Sequence, residues 1–179
     1  ATGMRIGQFT RFTCFLENHL IGDPTFHFIN NSELDIDINQ ALVLQEGNVA
    51  FWKKQLNSPM ADMQAMALRQ LSMANYSGLV DLLKKSYYES NYFVVRLEAL
   101  RLLTLNYPTE VADVLQTAMN DSYELIRRYA VEYVEKNSNP KLLPAWIESY
   151  LLRGHENRHR FRIFSGIDTF DHDTADRKS

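Results

Sequence analysis

The sequence repeats itself at a nearly constant interval. Three segments, centred on Ala67, Ala99 and Ala130, place an apolar residue four positions before and four positions after the central alanine. The first two alanines are 32 residues apart and the second two are 31 apart. A weaker fourth copy centred on Ile163 follows after 33 residues. Self-similarity at a fixed period of this size indicates stacked supersecondary units, because each unit has an apolar face that only its neighbour can cover.

Each repeat contains two helical patterns. In the third repeat, Ile126, Ala130 and Val134 continue the apolar stripe of a second helix that ends near Asn137, and a first helix precedes it. Apolar residues at steps of three and four predict paired helices in the other repeats as well. The predicted helices cover residues 45–57, 59–74, 77–89, 92–105, 108–119, 121–137 and 139–151.

Two short motifs predict where second helices begin. Asp121-Ser-Tyr-Glu124 has the form of a capping box, with Asp121 as N-cap and Glu124 as the third helical residue. Ser58-Pro59 has the form of an N-cap followed by proline at the first helical position. Both motifs predict a short connection between the two helices of a repeat.

These repeats resemble a known family. The opening Asn139-Pro-x-Leu-Leu-Pro-Ala-x-Ile147 and the segment Asp121-x-x-x-x-Ile-Arg-Arg-x-Ala-Val-Glu132 are similar to the short HEAT-like repeats of phycobilin-lyase relatives. The resemblance covers about residues 44–167. It implies an all-α fold, a right-handed, armadillo-like α-α superhelix (solenoid) of about four helical hairpins. Proteins with such repeats include scaffolds, adaptors, lyase subunits and a few DNA repair glycosylases.

The repeat pattern also divides the chain into segments. Residues 44–170 form the predicted HEAT-like solenoid, and residues 171–179 form a polar tail. Residues 1–43 do not fit the repeat and are predicted to be an atypical N-terminal cap or a linker, since a terminal repeat has one face without a neighbour. Within them, residues 34–38 alternate in polarity like a short strand, and an extended lead into the next helix fits equally well.

Composition limits the classes of function. The net charge of −3 argues against a dedicated nucleic-acid-binding domain, which is usually basic. Cys14 is the only cysteine, so an intramolecular disulfide or a thiolate cluster is impossible. This slightly favours a reducing compartment such as the cytoplasm and leaves the compartment open, because many periplasmic proteins also lack disulfides. No apolar run reaches the roughly 18 residues needed for a transmembrane helix. No motif predicts a cofactor.

One polar position recurs in every repeat. Gln64, Arg96, Arg127 and Arg160 each lie three residues before the central residue, so stacked helices should align them in a ladder. Arginine binds carboxylates and phosphates through two parallel hydrogen bonds, which suits an acidic peptide or a nucleic-acid backbone. The alternative is a structural role, because the resemblance implies that this arginine pairs with an acid or a helix end in the adjacent unit.

A second candidate is the basic segment 153–162. It contains Arg158, Arg160 and Arg162, and Phe161 lies among them, so it could contact phosphates or another anionic surface. The alternative is a solvated face whose arginines lie near the aspartates of the acidic segment 168–176.

Two patterns that superficially suggest a metal are better explained otherwise. The segment 35–46 has acidic residues at calcium-loop spacing, but Gln40 occupies the place of the glycine that this loop requires. His155 and His159 are one turn apart, but the segment is not a zinc-peptidase motif. We therefore expect no metal site.

These observations favour a non-enzymatic protein-binding scaffold or adaptor that fixes an acidic or extended protein or peptide partner. One alternative is a nucleic-acid-binding relative of the HEAT-like glycosylases, although Trp52 and Trp146 fall on the packing side of first helices. The other is an accessory subunit of a lyase-type enzyme. The candidate binding residues are Arg96, Arg101, Arg127, Arg128, Glu132, Arg158, Arg160 and Arg162.

Overall fold

The computed structural model describes residue 25, residues 38–137 and residues 139–153. All regular elements in this part of the chain are helical, which confirms the all-α prediction for these residues. A short 3-10 helix, Pro140–Leu142, leads into the last α-helix. The α-helices are α1 (Ile38–Leu44), α2 (Val49–Gln55), α3 (Ala61–Met73), α4 (Leu79–Glu89), α5 (Phe93–Asn106), α6 (Ala112–Ala118), α7 (Glu124–Asn137) and α8 (Leu143–Arg153).

Helices α2 to α7 form three consecutive pairs. Helix α2 packs against α3, α4 against α5, and α6 against α7. The second helices of the pairs also contact each other in chain order, α3 with α5 and α5 with α7. The repeat in the sequence therefore corresponds to a repeated pair of helices.

The core follows the predicted periodicity. Ala67, Ala99 and Ala130 are fully buried, as the sequence predicts. Their small side chains let the second helices approach closely, and the apolar residues four positions away on either side fill the remaining space. Trp52 and Trp146, on α2 and α8, are also buried in this core, so their predicted packing role is confirmed.

The prediction of one helix over residues 45–57 is wrong at its start. Residues 38–44 form α1, and the chain then turns before α2 begins at Val49. Gly47 has a φ of +71°, a left-handed conformation that glycine adopts without a steric penalty. The Asn48 side chain then caps α2 by accepting a hydrogen bond of 3.0 Å from the amide of Phe51.

The two predicted helix starts are also corrected. Helix α3 begins at Ala61, after Met60, and α7 begins at Glu124, after Tyr123. Ser58 and Asp121 therefore lie further before their helices than an N-cap does, and Glu124 is the first helical residue rather than the third. Both side chains accept instead from the amide two residues later, a short turn that competes with direct capping.

The ends of the predicted units lie partly outside the described residues. The expected boundary at residues 43 and 44 falls inside α1, whose Leu42 packs against the core. The fourth repeat copy around Ile163, the pair His155 and His159, and the tail 171–179 lie outside the described residues. The segment 35–46 is described from residue 38 onwards, and its residues 38–44 form α1. No helix in residues 38–137 or 139–153 is long and apolar enough to cross a membrane.

Candidate binding surface

The polar position of the predicted ladder stabilises the turn that precedes each second helix. In all three described repeats, its side chain donates a hydrogen bond to the backbone carbonyl six residues earlier. The bonds are Gln64 Nε2 to Ser58 O at 2.7 Å, Arg96 Nη1 to Ser90 O at 3.1 Å, and Arg127 Nη1 to Asp121 O at 2.7 Å. In the three described repeats this position therefore supports its own turn, and Arg96 also pairs with an acid of the adjacent unit, as the structural alternative proposes.

The residue that provides this carbonyl has its own repeated role. Its side-chain oxygen accepts from the backbone amide two residues later and so fixes the turn from the other side. The bonds are Met60 N to Ser58 Oγ at 3.2 Å, Tyr92 N to Ser90 Oγ at 3.2 Å, and Tyr123 N to Asp121 Oδ1 at 2.8 Å.

These turns lie side by side at one end of the second helices. The first turn (56–60) is followed by the second turn (90–92) and by the third turn (119–123). We refer to the contact between the first and second turns as the first seam, and to that between the second and third turns as the second seam.

The second seam is closed by an ion pair. The Arg96 guanidinium donates to both carboxylate oxygens of Asp121, through Nε at 3.0 Å and Nη2 at 2.9 Å. The hydroxyl of Tyr87, on α4, donates to the same carboxylate at 3.0 Å. The side chains of Arg96 and Asp121 are only 13% and 6% exposed, so this pair is well shielded from water. Phe93 stacks on Tyr123 beside it, with ring centroids 4.0 Å apart.

The ion pair and its burial shift the pKa values of Asp121, Tyr87 and Arg96. Burial of the Asp121 carboxyl raises its pKa, but the hydrogen bond from Arg96, the Tyr123 amide and the charge of Arg96 outweigh this effect, so the pKa is lowered overall. Burial and the negative charge of Asp121 raise the pKa of Tyr87 far above its usual range. The hydrogen bond to Asp121 raises the pKa of Arg96 as well. Tyr87 therefore acts as a neutral hydrogen-bond donor to a charged carboxylate.

The first seam is open. Gln64 occupies the place of Arg96, and Ser90 occupies the place of Asp121, so the ion pair is missing. A groove of about 510 Å³ lies there instead. Its wall contains Lys53, Leu56, Asn57, Gln64, Leu82, Lys85, Ser86, Glu89, Ser90, Asn91, Tyr92 and Val95.

A different network, largely shielded from solvent, lies along one side of the second helices. Arg69 on α3 donates to both carboxylate oxygens of Glu98 on α5, at 2.8 and 2.9 Å. Arg101 lies 3.8 Å from the same carboxylate. Towards α7, the hydroxyls of Thr104 and Tyr129 are hydrogen bonded at 2.8 Å. Polar contacts thus connect all three second helices on this side.

The predicted binding residues fall into three groups. Arg96 and Arg127 belong to the turns, where their guanidinium groups are engaged. Arg101, Arg128 and Glu132 lie on α5 and α7, where their side chains are 14%, 31% and 31% exposed. Arg128 lies 3.8 Å from Glu124, and Glu132 accepts from Lys136 at 2.8 Å. Arg158, Arg160 and Arg162 lie outside the described residues.

Sequence reasoning missed two apolar side chains on the same side. Met73 and Leu105 are 58% and 61% exposed. Each lies six residues after the buried alanine of its repeat, so they occupy equivalent places on α3 and α5. The repeat alignment contained this signal, because apolar residues at that offset point away from the buried stripe.

Two kinds of binding, to a metal ion and to a nucleobase, can be checked in the described residues. In residues 38–137 and 139–153, no group of three or more histidine, cysteine, aspartate or glutamate side chains is placed to hold a metal ion. Trp52 and Trp146 are buried in the core and do not offer a stacking surface to a nucleobase.

No family model matches this chain, and no curated protein or solved structure is significantly similar to it. The HEAT-like resemblance of the repeats therefore stays a prediction.

Proposed function

We propose that this chain is a non-enzymatic protein-binding module, a scaffold or adaptor with HEAT-like repeats. Its helix pairs would stack in a right-handed, armadillo-like superhelix, and its second helices would bind a protein or peptide partner. The repeated pairs and the chain-order contacts of α3, α5 and α7 support this arrangement.

The observation that carries the proposal is a pair of exposed apolar side chains on the second helices. Met73 and Leu105 expose more than half of their surfaces at equivalent positions of adjacent helices. Exposed apolar groups beside ordered polar groups are common in protein interfaces, where methionine and arginine are enriched.

The polar groups around them are already ordered. The Arg69–Glu98 pair joins α3 to α5 and holds both side chains in one geometry. A partner that binds there would lose less side-chain entropy than on a surface of unpaired long side chains, which favours affinity. Arg101, Arg128 and Glu132 would contribute charged contacts at the rim of this surface.

Site-specific photocrosslinking tests this proposal. A photoreactive amino acid replaces Leu105 in the protein expressed in its native cells, and Gln116, an exposed residue of the first helix α6, carries it in the control. We expect a protein adduct at position 105 that protease removes and nuclease does not. Equal labelling at both positions, or an adduct sensitive to nuclease, would contradict the proposal.

A further inference from the structure

The groove of the first seam occupies the place where the second seam holds a carboxylate. In the second seam, Asp121 receives hydrogen bonds from Arg96, from Tyr87 and from the Tyr123 amide. The second seam therefore has donors arranged around one buried carboxylate at the junction of two repeats.

At the equivalent positions of the first seam, the turns have the same hydrogen bonds, but the side chains are smaller or uncharged. The repeat alignment places Gln55 for Tyr87, Ala61 for Phe93 and Gln64 for Arg96. Ser90 replaces Asp121 on the facing turn, and its Oγ accepts from the Tyr92 amide as the aspartate accepts from Tyr123. The turn is therefore built in the same way, while Ser90 supplies no carboxylate at the position that Asp121 holds in the second seam.

The charges of the groove suit a carboxylate from outside. Lys53 and Lys85 face it, and Glu89 is the acidic residue in its wall. Glu89 lies 3.9 Å from Lys85, and both side chains are 67% exposed, so solvent weakens that pair. The Lys53 ammonium also lies 5.1 Å from the Tyr76 ring centroid and 3.3 Å from its hydroxyl, and these contacts restrict its motion.

We infer that the groove of the first seam binds a carboxylate side chain of an acidic peptide segment in a partner protein. The carboxylate would lie between Lys53 and Lys85, with the Gln64 amide and the Ser90 hydroxyl as further donors. This inference rests on the proposed function, because it names the chemistry of the partner that such a module binds. A volume of about 510 Å³ accommodates one or two side chains of an extended segment.

Fluorescence anisotropy with fluorescein-labelled hexaglutamate tests the inference, with hexaglutamine as the uncharged control peptide. We expect saturable binding of hexaglutamate and no saturable binding of hexaglutamine. The double variant Lys53→Gln/Lys85→Gln should weaken it at least about fivefold. The variant Lys136→Gln/Lys141→Gln removes the same charge outside the groove wall and should change the Kd less than about twofold.

A gain-of-function variant makes the test independent of any loss of folding. Gln64→Arg places a guanidinium where Arg96 stands in the second seam, but without its aspartate, and should lower the Kd for hexaglutamate at least about fivefold. Adding Ser90→Asp should abolish this gain in affinity, because the new aspartate would pair with the arginine introduced at position 64. Ser90→Asn is the uncharged control and should preserve it.

Several results would overturn the inference. Hexaglutamine could bind as tightly as hexaglutamate, or the two double lysine variants could lose the same affinity for hexaglutamate. Gln64→Arg could fail to raise that affinity. A single-stranded oligonucleotide could bind to the groove more tightly than hexaglutamate does. The crosslinking at Leu105 separates this failure from that of the proposed function. A protein adduct at position 105 without groove-dependent peptide binding would overturn the inference alone.

Discussion

The turns at the two seams are built by the same hydrogen bonds between side chains and backbone, and the seams differ in what fills the space between the turns. In each of the three turns, a side chain of the second helix donates to a turn carbonyl, and a turn side chain accepts from an amide. At the second seam, Arg96 additionally crosses to Asp121 of the next repeat. At the first seam, Gln64 is too short and uncharged to do so, and a groove remains. The comparison separates the bonds that build each repeat from the ion pair that joins two repeats.

The largest expected effect concerns what the repeats share. Ala67→Glu and Ala130→Glu should each lower the free energy of unfolding by about 4 kcal/mol or more, because both place a charge in a closed apolar contact. Urea denaturation measures both, and Ala50→Glu on the exposed side of α2 should change stability by less than about 0.5 kcal/mol. Tolerance of either buried charge would mean that the repeats are not packed alike.

The next effect separates the seams. Asp121→Ala should cost about 3 kcal/mol, because it leaves the Arg96 guanidinium and the Tyr87 hydroxyl without their shared acceptor. Ser90→Ala removes one hydrogen bond to the Tyr92 amide and should cost about 1 kcal/mol or less. Similar losses in the two variants, measured by urea denaturation, would remove the distinction between an open and a closed seam.

An equal or smaller difference is expected at the ladder position. Arg127→Ala should cost about 2 kcal/mol, since it removes charge-assisted hydrogen bonds in a shielded turn. Arg96→Ala should cost about 3 kcal/mol, because it also leaves the Asp121 carboxylate without its cation. Gln64→Ala removes a neutral hydrogen bond and should cost about 1 kcal/mol. Thermal denaturation should therefore rank Gln64→Ala as the mildest of the three. If both arginine variants melt like the wild type, the structural role of the ladder is wrong.

The pH dependence gives the smallest effect. The pKa of Asp121 is lowered from its ordinary value of 3.8, so the unfolded chain binds a proton at this group more readily than the folded chain. The stabilisation is present above pH 3.8 and is lost as the pH falls through the folded pKa. The difference in unfolding free energy between wild type and Asp121→Asn should thus narrow in acid. A constant difference from about pH 6 to about pH 3 would contradict this assignment.

The sequence predicts the helix pairs well because their signal is local and repeated. The apolar stripes around Ala67, Ala99 and Ala130 require only helical periodicity, and these alanines are buried. Turn geometry was harder to predict. Ser58 and Asp121 have the residue types of N-caps, but their side chains accept hydrogen bonds from amides two residues later. Which amide is bonded depends on the conformation of the adjacent residues.

The candidate surface was predicted only in part. Arginine at the ladder position suits both an external ligand and an internal partner, and only the fold brings Asp121 within reach of Arg96. The groove could not be predicted, since it arises from the difference between two repeats that are 32 residues apart rather than from any single motif. Alignment of the repeats does reveal the exchange of Arg96 for Gln64.

The central claim is that the two seams differ because of residues 64 and 90. The most direct test is a double-mutant cycle by urea denaturation with Gln64→Arg, Ser90→Asp and the double variant. If the first seam can be closed like the second, the two substitutions should stabilise each other by about 1–2 kcal/mol beyond the sum of their separate effects. Strictly additive effects would contradict the claim, because they would mean that the two positions do not face each other as Arg96 and Asp121 do.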